Sequence, residues 1–83
     1  MNPQVVTIGL GYIGLPTSAL IASKSTQVLG VDIDQKVVDT VNDAKIHIVE
    51  PDLDKVVLNA VKKGFLKAST IAVSADVYLI VVP

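Results

Sequence analysis

An α/β fold, with about four parallel strands in one sheet and helices flanking it, is what this sequence predicts. Three observations carry that expectation. Short β-branched apolar runs recur at "QVVTI", "QVLGV", "FLKAST" and "VYLIVV", with helix-compatible or connecting segments between them. The first run passes directly into three glycines, "GLGYIG", and then into a helix-forming segment. The second run closes on Asp32, about twenty positions beyond those glycines. Strand, helix and strand ending in this way are the outline of a partial Rossmann fold, truncated after its fourth strand, with the expected spatial order 3-2-1-4.

Gln4 to Ile8 alternates little and is rich in Val, Thr and Ile, as suits a strand buried on both faces. Ile13 to Lys24 is expected as a helix whose buried stripe is drawn from Leu15, Ala19, Leu20 and Ala22, with Ile13 and Ile21. Pro16 is compatible with the first turn, where the backbone N–H has no intrahelical partner to lose. Gln27 to Val31 is the second strand. Asp34 is placed to cap a helix running to about Asn42, with Val37, Val38 and Val41 on one face.

Residues 43 to 50 are a connection, and "EPDL" places Pro51 and Asp52 at the start of the next helix, where both are favoured. Leu53, Val56, Val57, Ala60 and Val61 follow at helical spacing, the clearest amphipathic pattern in the chain. Lys62 and Lys63 sit at its negative end, and Gly64 is suited to the left-handed turn that stops it. "FLKAST" reads as a short strand. "VYLIVV", residues 77 to 82, reads as a central parallel strand, and the sequence stops at Pro83.

The chain has 83 residues, enough for one small domain or a piece of a larger one and too few for a second full domain. The expectation is that residues 1–83 form the N-terminal part of a dinucleotide-binding domain. A formal net charge of -1, with no basic cluster, offers no electrostatic footprint for nucleic acid or an anionic membrane. Arginine is absent, so a phosphate must be held by backbone N–H groups, a helix dipole or lysine. Cysteine is absent too, which removes disulfides, cysteine metal sites and thiol nucleophiles from this chain. No apolar stretch approaches the roughly 20 residues needed to span a bilayer, and a cytoplasmic protein is the expectation.

In the glycine pattern, Gly9 is expected to make the tight turn, Gly11 to let the backbone approach a pyrophosphate, and Gly14 to let the helix pack on the sheet. The phosphates are expected at the helix N-terminus, beside the N–H groups of Tyr12 and Ile13. Asp32 is expected to accept the adenosine ribose hydroxyls and to repel a 2′-phosphate, which favours NAD over NADP. The competing reading is a structural strand–turn–helix that needs its glycines for packing alone. Tyr12 is then an exposed turn aromatic, and Asp32 a strand end. Lys36 reads as a solvated helix lysine. His47, Glu50, Asp52, Ser69 and Ser74 have no partners at readable spacing, so neither a catalytic nor a metal-ligating residue is predicted.

The combination "IGLGYIGLP", "GVDID", "IHIVEPDL", "GFLKAST" and "ADVYLIVVP" resembles the N-terminal segment of the UDP-glucose/GDP-mannose dehydrogenase family, over essentially the whole chain. "IHIVEPDL" and "GFLKAST" tilt the resemblance toward members acting on UDP-amino sugars, with UDP-glucose as the alternative substrate. The resemblance implies a cytoplasmic bacterial enzyme that oxidises the C6 alcohol of a UDP-sugar to a carboxylate with two NAD in succession, feeding surface polysaccharide synthesis.

Carried over, its NAD contacts are Gly9, Gly11, Tyr12, Ile13, Gly14 and Asp32. Many relatives carry an arginine or lysine five residues after that aspartate; here the position is Val37, with Lys36 one before it. The family's catalytic cysteine, its lysine and acidic helpers, and its sugar-binding residues lie beyond position 83. The chain alone is therefore expected to be inactive. Its cut sheet is expected to expose an edge and to self-associate as a homo-oligomer. From another class, a non-catalytic Rossmann-like nucleotide-binding or interaction domain fits the same glycine loop.

Overall fold

The structure, a computed structural model, describes residues 2–81. Four strands form one parallel sheet: β1 (Val5–Ile8), β2 (Val28–Val31), β3 (Leu66–Ser69) and β4 (Val77–Ile80). Their spatial order is β3-β2-β1-β4, as the sequence predicts. The helices are α1 (Gly14–Ala22), α2 (Gln35–Asn42) and α3 (Leu53–Lys62). Val82, the last residue of the expected strand run, and Pro83 lie outside the described residues.

Register places Leu66, Val28, Val5 and Val77 in one row across the sheet, and Ala68, Gly30, Thr7 and Leu79 in another two residues on. Alternation puts these rows on one face, where Val5, Val28, Leu66 and Ala68 join Leu15, Ala19, Val38, Val41, Leu53 and Val57 of the three helices in the main core. Val6, Leu29 and Val31 point the other way into a smaller cluster, with Ile8 and Ala75 packed against it. The Tyr78 hydroxyl pins the segment before β4 by accepting the Ala75 N–H at 3.1 Å and donating to the Val73 carbonyl at 2.8 Å.

Helix α1 corrects the expected stripe. Its buried residues are Gly14, Leu15, Ser18, Ala19 and Ala22, whereas Ile13 and Leu20 are exposed. The helix is apolar on most of its circumference, so small residues at positions 14, 18, 19 and 22 decide which side approaches the sheet. Asp34 caps α2 as expected, its Oδ1 accepting the Lys36 N–H at 2.9 Å.

Helix α3 has the expected inward residues Leu53, Val57 and Ala60, with Val56 and Val61 half-buried, and Gly64 follows at φ 80°. Its start differs from expectation. Asp52 stands at the cap in the left-handed region, φ 64°, and makes no capping hydrogen bond, so Pro51 precedes the helix and the acid in its first turn is Asp54.

The two edges of the sheet differ. The Val28 and Asp32 N–H groups donate to the Phe65 and Ser69 carbonyls, so alternation turns Ala68 outward. There the Asn42 side chain takes both its groups, donating to the Ala68 carbonyl at 2.9 Å and accepting its N–H at 2.8 Å. On the other side β4, whose apolar run suits a central strand, is an edge strand among the described residues, as the expected order 3-2-1-4 implies, with Tyr78 and Ile80 exposed.

Candidate functional site

Strand β1 ends at Ile8 and the chain turns at Gly9, whose φ is 104°. The Gly9 N–H donates to the Val31 carbonyl at 2.7 Å, which pins the turn to the end of β2. A Cβ at Gly9 would come within 2.5 Å of the Val81 carbonyl oxygen, and one at Gly14 would collide with the Gly9 carbonyl. Packing and backbone conformation alone thus require two of the three glycines. Gly11 is different, because nothing lies within 4 Å of where its Cβ would stand. A purely structural turn leaves Gly11 unexplained, whereas a ligand brought against the backbone there accounts for it.

The loop then runs into α1 with its N–H groups largely free. Leu15 donates back to the Gly11 carbonyl at 3.0 Å and Thr17 to the Ile13 carbonyl at 3.1 Å. Among the described residues, the N–H groups of Gly11, Tyr12, Ile13 and Gly14 make no hydrogen bond to the protein. Free donors at the positive end of a helix are suited to an anion.

Asp32 stands beside this loop, half-buried at the end of β2. Its Oδ2 accepts the Leu10 N–H at 3.0 Å, and its Oδ1 accepts the Asp34 N–H at 3.0 Å. A carboxylate accepts about four hydrogen bonds, so both oxygens retain capacity for hydroxyl donors. Gly9, Leu10, Gly11, Tyr12, Ile13, Asp32 and Val81 line a cleft of about 340 Å³. Five of the six site residues expected from sequence therefore meet at one opening. Gly14 is buried behind it, and the Tyr12 and Ile13 side chains are 71% and 64% exposed at its rim.

Three contributors escaped the sequence reading. Leu10 is fully buried beneath the loop, and Val81 closes the cleft from the end of β4. Ile33, 96% exposed, flanks Asp32 in a shallower depression shared with Ile8, Val31 and Ile80. Leu10 had a signal in its place between two motif glycines, while Val81 and Ile33 had none. Lys36, His47, Glu50, Asp52, Ser69 and Ser74 do not line the cleft. Among the described residues no group of three or more His, Cys, Asp or Glu is arranged to hold a metal ion, and no helix is long and apolar enough to cross a membrane.

Residues 3–83 match the profile described as the UDP-glucose/GDP-mannose dehydrogenase family, NAD binding domain. The chain belongs to this family. It is 62% identical over 79 residues to a UDP-N-acetyl-D-mannosamine dehydrogenase of Escherichia coli K12, which covers 95% of this chain and 19% of that protein. An NDP-N-acetyl-D-galactosaminuronic acid dehydrogenase of Ralstonia solanacearum is 54% identical over 79 residues, with the same coverages of 95% and 19%.

Among solved structures, a UDP-N-acetyl-mannosamine dehydrogenase from Staphylococcus aureus superposes with a TM-score of 0.92 at 44% identity, over 95% of this chain and 19% of its own. A GDP-mannose dehydrogenase from Pseudomonas aeruginosa, solved as a ternary complex, gives 0.92 at 28% identity, over 96% of this chain and 19% of its own. The chain thus spans about a fifth of the length of the relatives it matches. Its parallel sheet is that of an NAD-binding domain in this family of oxidoreductases.

Proposed function

We propose that this chain is the N-terminal segment of the NAD-binding domain of a UDP-sugar 6-dehydrogenase, one that converts UDP-N-acetyl-D-mannosamine to UDP-N-acetyl-D-mannosaminuronate. The observation that carries the cofactor assignment is Gly11, a glycine that packing does not demand, set between an anion cradle and the Asp32 carboxylate. The mannosamine assignment is supported by the names of the relatives at 62% and 44% identity, against UDP-glucose as the alternative.

In this reading Gly9 turns the chain, and Gly11, Tyr12 and Ile13 present their N–H groups to the pyrophosphate. Gly14 seats α1 close enough for its dipole to act there. Asp32 receives the ribose hydroxyls on the lone pairs that Leu10 and Asp34 leave unused, and its charge opposes a 2′-phosphate. Bound NAD supplies the hydride acceptor; carrying an alcohol to a carboxylate removes two hydride equivalents and adds one water oxygen, hence two NAD in succession. The residues that act on the sugar belong to sequence beyond position 83, so the chain alone catalyses nothing. The parent enzyme is cytoplasmic and serves surface polysaccharide synthesis.

By itself the chain self-associates, a second copy adding to β4. Support comes from the contrast between edges: Asn42 occupies the outward groups of β3, whereas β4 offers an uncharged, exposed "VYLI" strand with nothing paired outside it among the described residues.

Calorimetric titration of the longer protein with NAD and NADP tests the assignment. NAD is expected to bind at least about tenfold more tightly, the equivalent of about 1.4 kcal/mol. Equal affinities overturn the role given to Asp32, and two NADH formed per UDP-N-acetyl-D-mannosamine identifies the reaction.

A further inference from the structure

Gly30 lies inside β2, where a residue without a side chain weakens a strand unless something else needs the space. A Cβ at position 30 would stand 2.6 Å from Leu10 Cδ2, 3.0 Å from its Cδ1 and 3.2 Å from its Cγ. Leu10 is fully buried, so its side chain occupies the room that a residue at 30 would otherwise fill. Thr7 and Ala68 flank Gly30 in the sheet, so Leu10 descends onto a row of small residues.

The backbone of the same loop is held by the two residues that follow. Val31 accepts the Gly9 N–H at 2.7 Å, and Asp32 accepts the Leu10 N–H at 3.0 Å. Gly30, Val31 and Asp32 in succession therefore grip Gly9 and Leu10, one by shape and two by hydrogen bonds. Gly11 follows Leu10 directly, and Asp32 is itself a wall of the cleft.

We infer that Gly30 is a positioning residue for the cofactor: it seats Leu10 beneath the glycine loop and so sets both the height of Gly11 and the orientation of the Asp32 carboxylate. The inference rests on reading the cleft as the NAD site and is independent of which sugar is oxidised. A methyl group at position 30 requires Leu10 to move. Because a close-packed core encloses that side chain, part of the displacement passes to its backbone, and through it to Gly11 and Asp32.

The test is a double-mutant cycle in the longer protein that carries this chain, with NAD affinity read by calorimetry and folding by circular dichroism. Gly30→Ala is expected to weaken NAD binding about tenfold in an otherwise unchanged protein. Added to Leu10→Ala, which removes all three atoms the new methyl would meet, the same change is expected to leave affinity equal or tighter. Should Gly30→Ala alone not fold, the comparison of Leu10→Ala with the double variant still decides. A double variant that binds more weakly than Leu10→Ala overturns the inference, as does a folded Gly30→Ala protein with unchanged affinity. Absence of NAD binding by the unaltered protein fails the functional reading, and this inference with it; NAD binding insensitive to Gly30→Ala fails this inference alone.

Discussion

The backbone N–H of Leu10 donates to Oδ2 of Asp32 at 3.0 Å, joining the glycine loop to the end of the neighbouring strand. The carboxylate also accepts the Asp34 N–H at 3.0 Å, so it organises two backbone turns before any ligand arrives. Asp32→Ala is therefore expected to cost stability as well as cofactor, by about 1–3 kcal/mol for donors left without a charged acceptor. Asp32→Asn retains one acceptor oxygen and removes the charge, so it is expected to lose less stability while raising NADP affinity relative to NAD. Thermal unfolding beside paired titrations checks this; identical behaviour of the two variants is the contrary result.

The three loop glycines are expected to separate into two classes. Gly9→Ala and Gly14→Ala meet backbone carbonyls, so each is expected to destabilise the fold by about 2 kcal/mol or more. Gly11→Ala meets nothing within 4 Å and is expected to keep the melting temperature while weakening NAD binding. A Gly11→Ala protein that binds NAD normally contradicts the cradle.

Ala44, at φ 62°, occupies a conformation that costs a residue with a Cβ about 1 kcal/mol. Ala44→Gly is thus expected to stabilise the chain, the gain offset in part by added freedom of the unfolded state. Asp52 at φ 64° is a second such position, and its exposed contact with Lys55 at 3.8 Å adds little, so Asp52→Gly is expected to be neutral or stabilising. Denaturant midpoints measure both.

Asn42 makes two hydrogen bonds to Ala68, and Asn42→Ala is expected to cost about 1–3 kcal/mol and to open the β3 edge. The free β4 edge predicts concentration-dependent association of the isolated chain by sedimentation, reduced by Ile80→Lys. A stable monomer at high micromolar concentration, before any substitution, is the result that removes this expectation.

By itself the sequence determined the order of elements, the glycine turn, the aspartate at the end of β2, the Asp34 cap and the inward face of α3. Each is a local signal, written within a turn or a strand by spacing and side-chain chemistry. It misled in part where spacing carries no contrast, placing Ile13 and Leu20 in the buried stripe of α1 although both are exposed. Helix α1 is apolar nearly all round, so its buried side was decided by how closely Gly14, Ser18, Ala19 and Ala22 let it approach the sheet.

Tertiary structure alone decided what a Cβ would meet at each glycine, the Val81 carbonyl at Gly9, the Gly9 carbonyl at Gly14 and open space at Gly11, and that Asp32 already serves two backbone donors. It alone placed Leu10 in the room Gly30 leaves. The physical reason is that these relations join residues far apart in sequence through steric exclusion and hydrogen-bond direction, and neither has a value until β1 and β2 lie side by side.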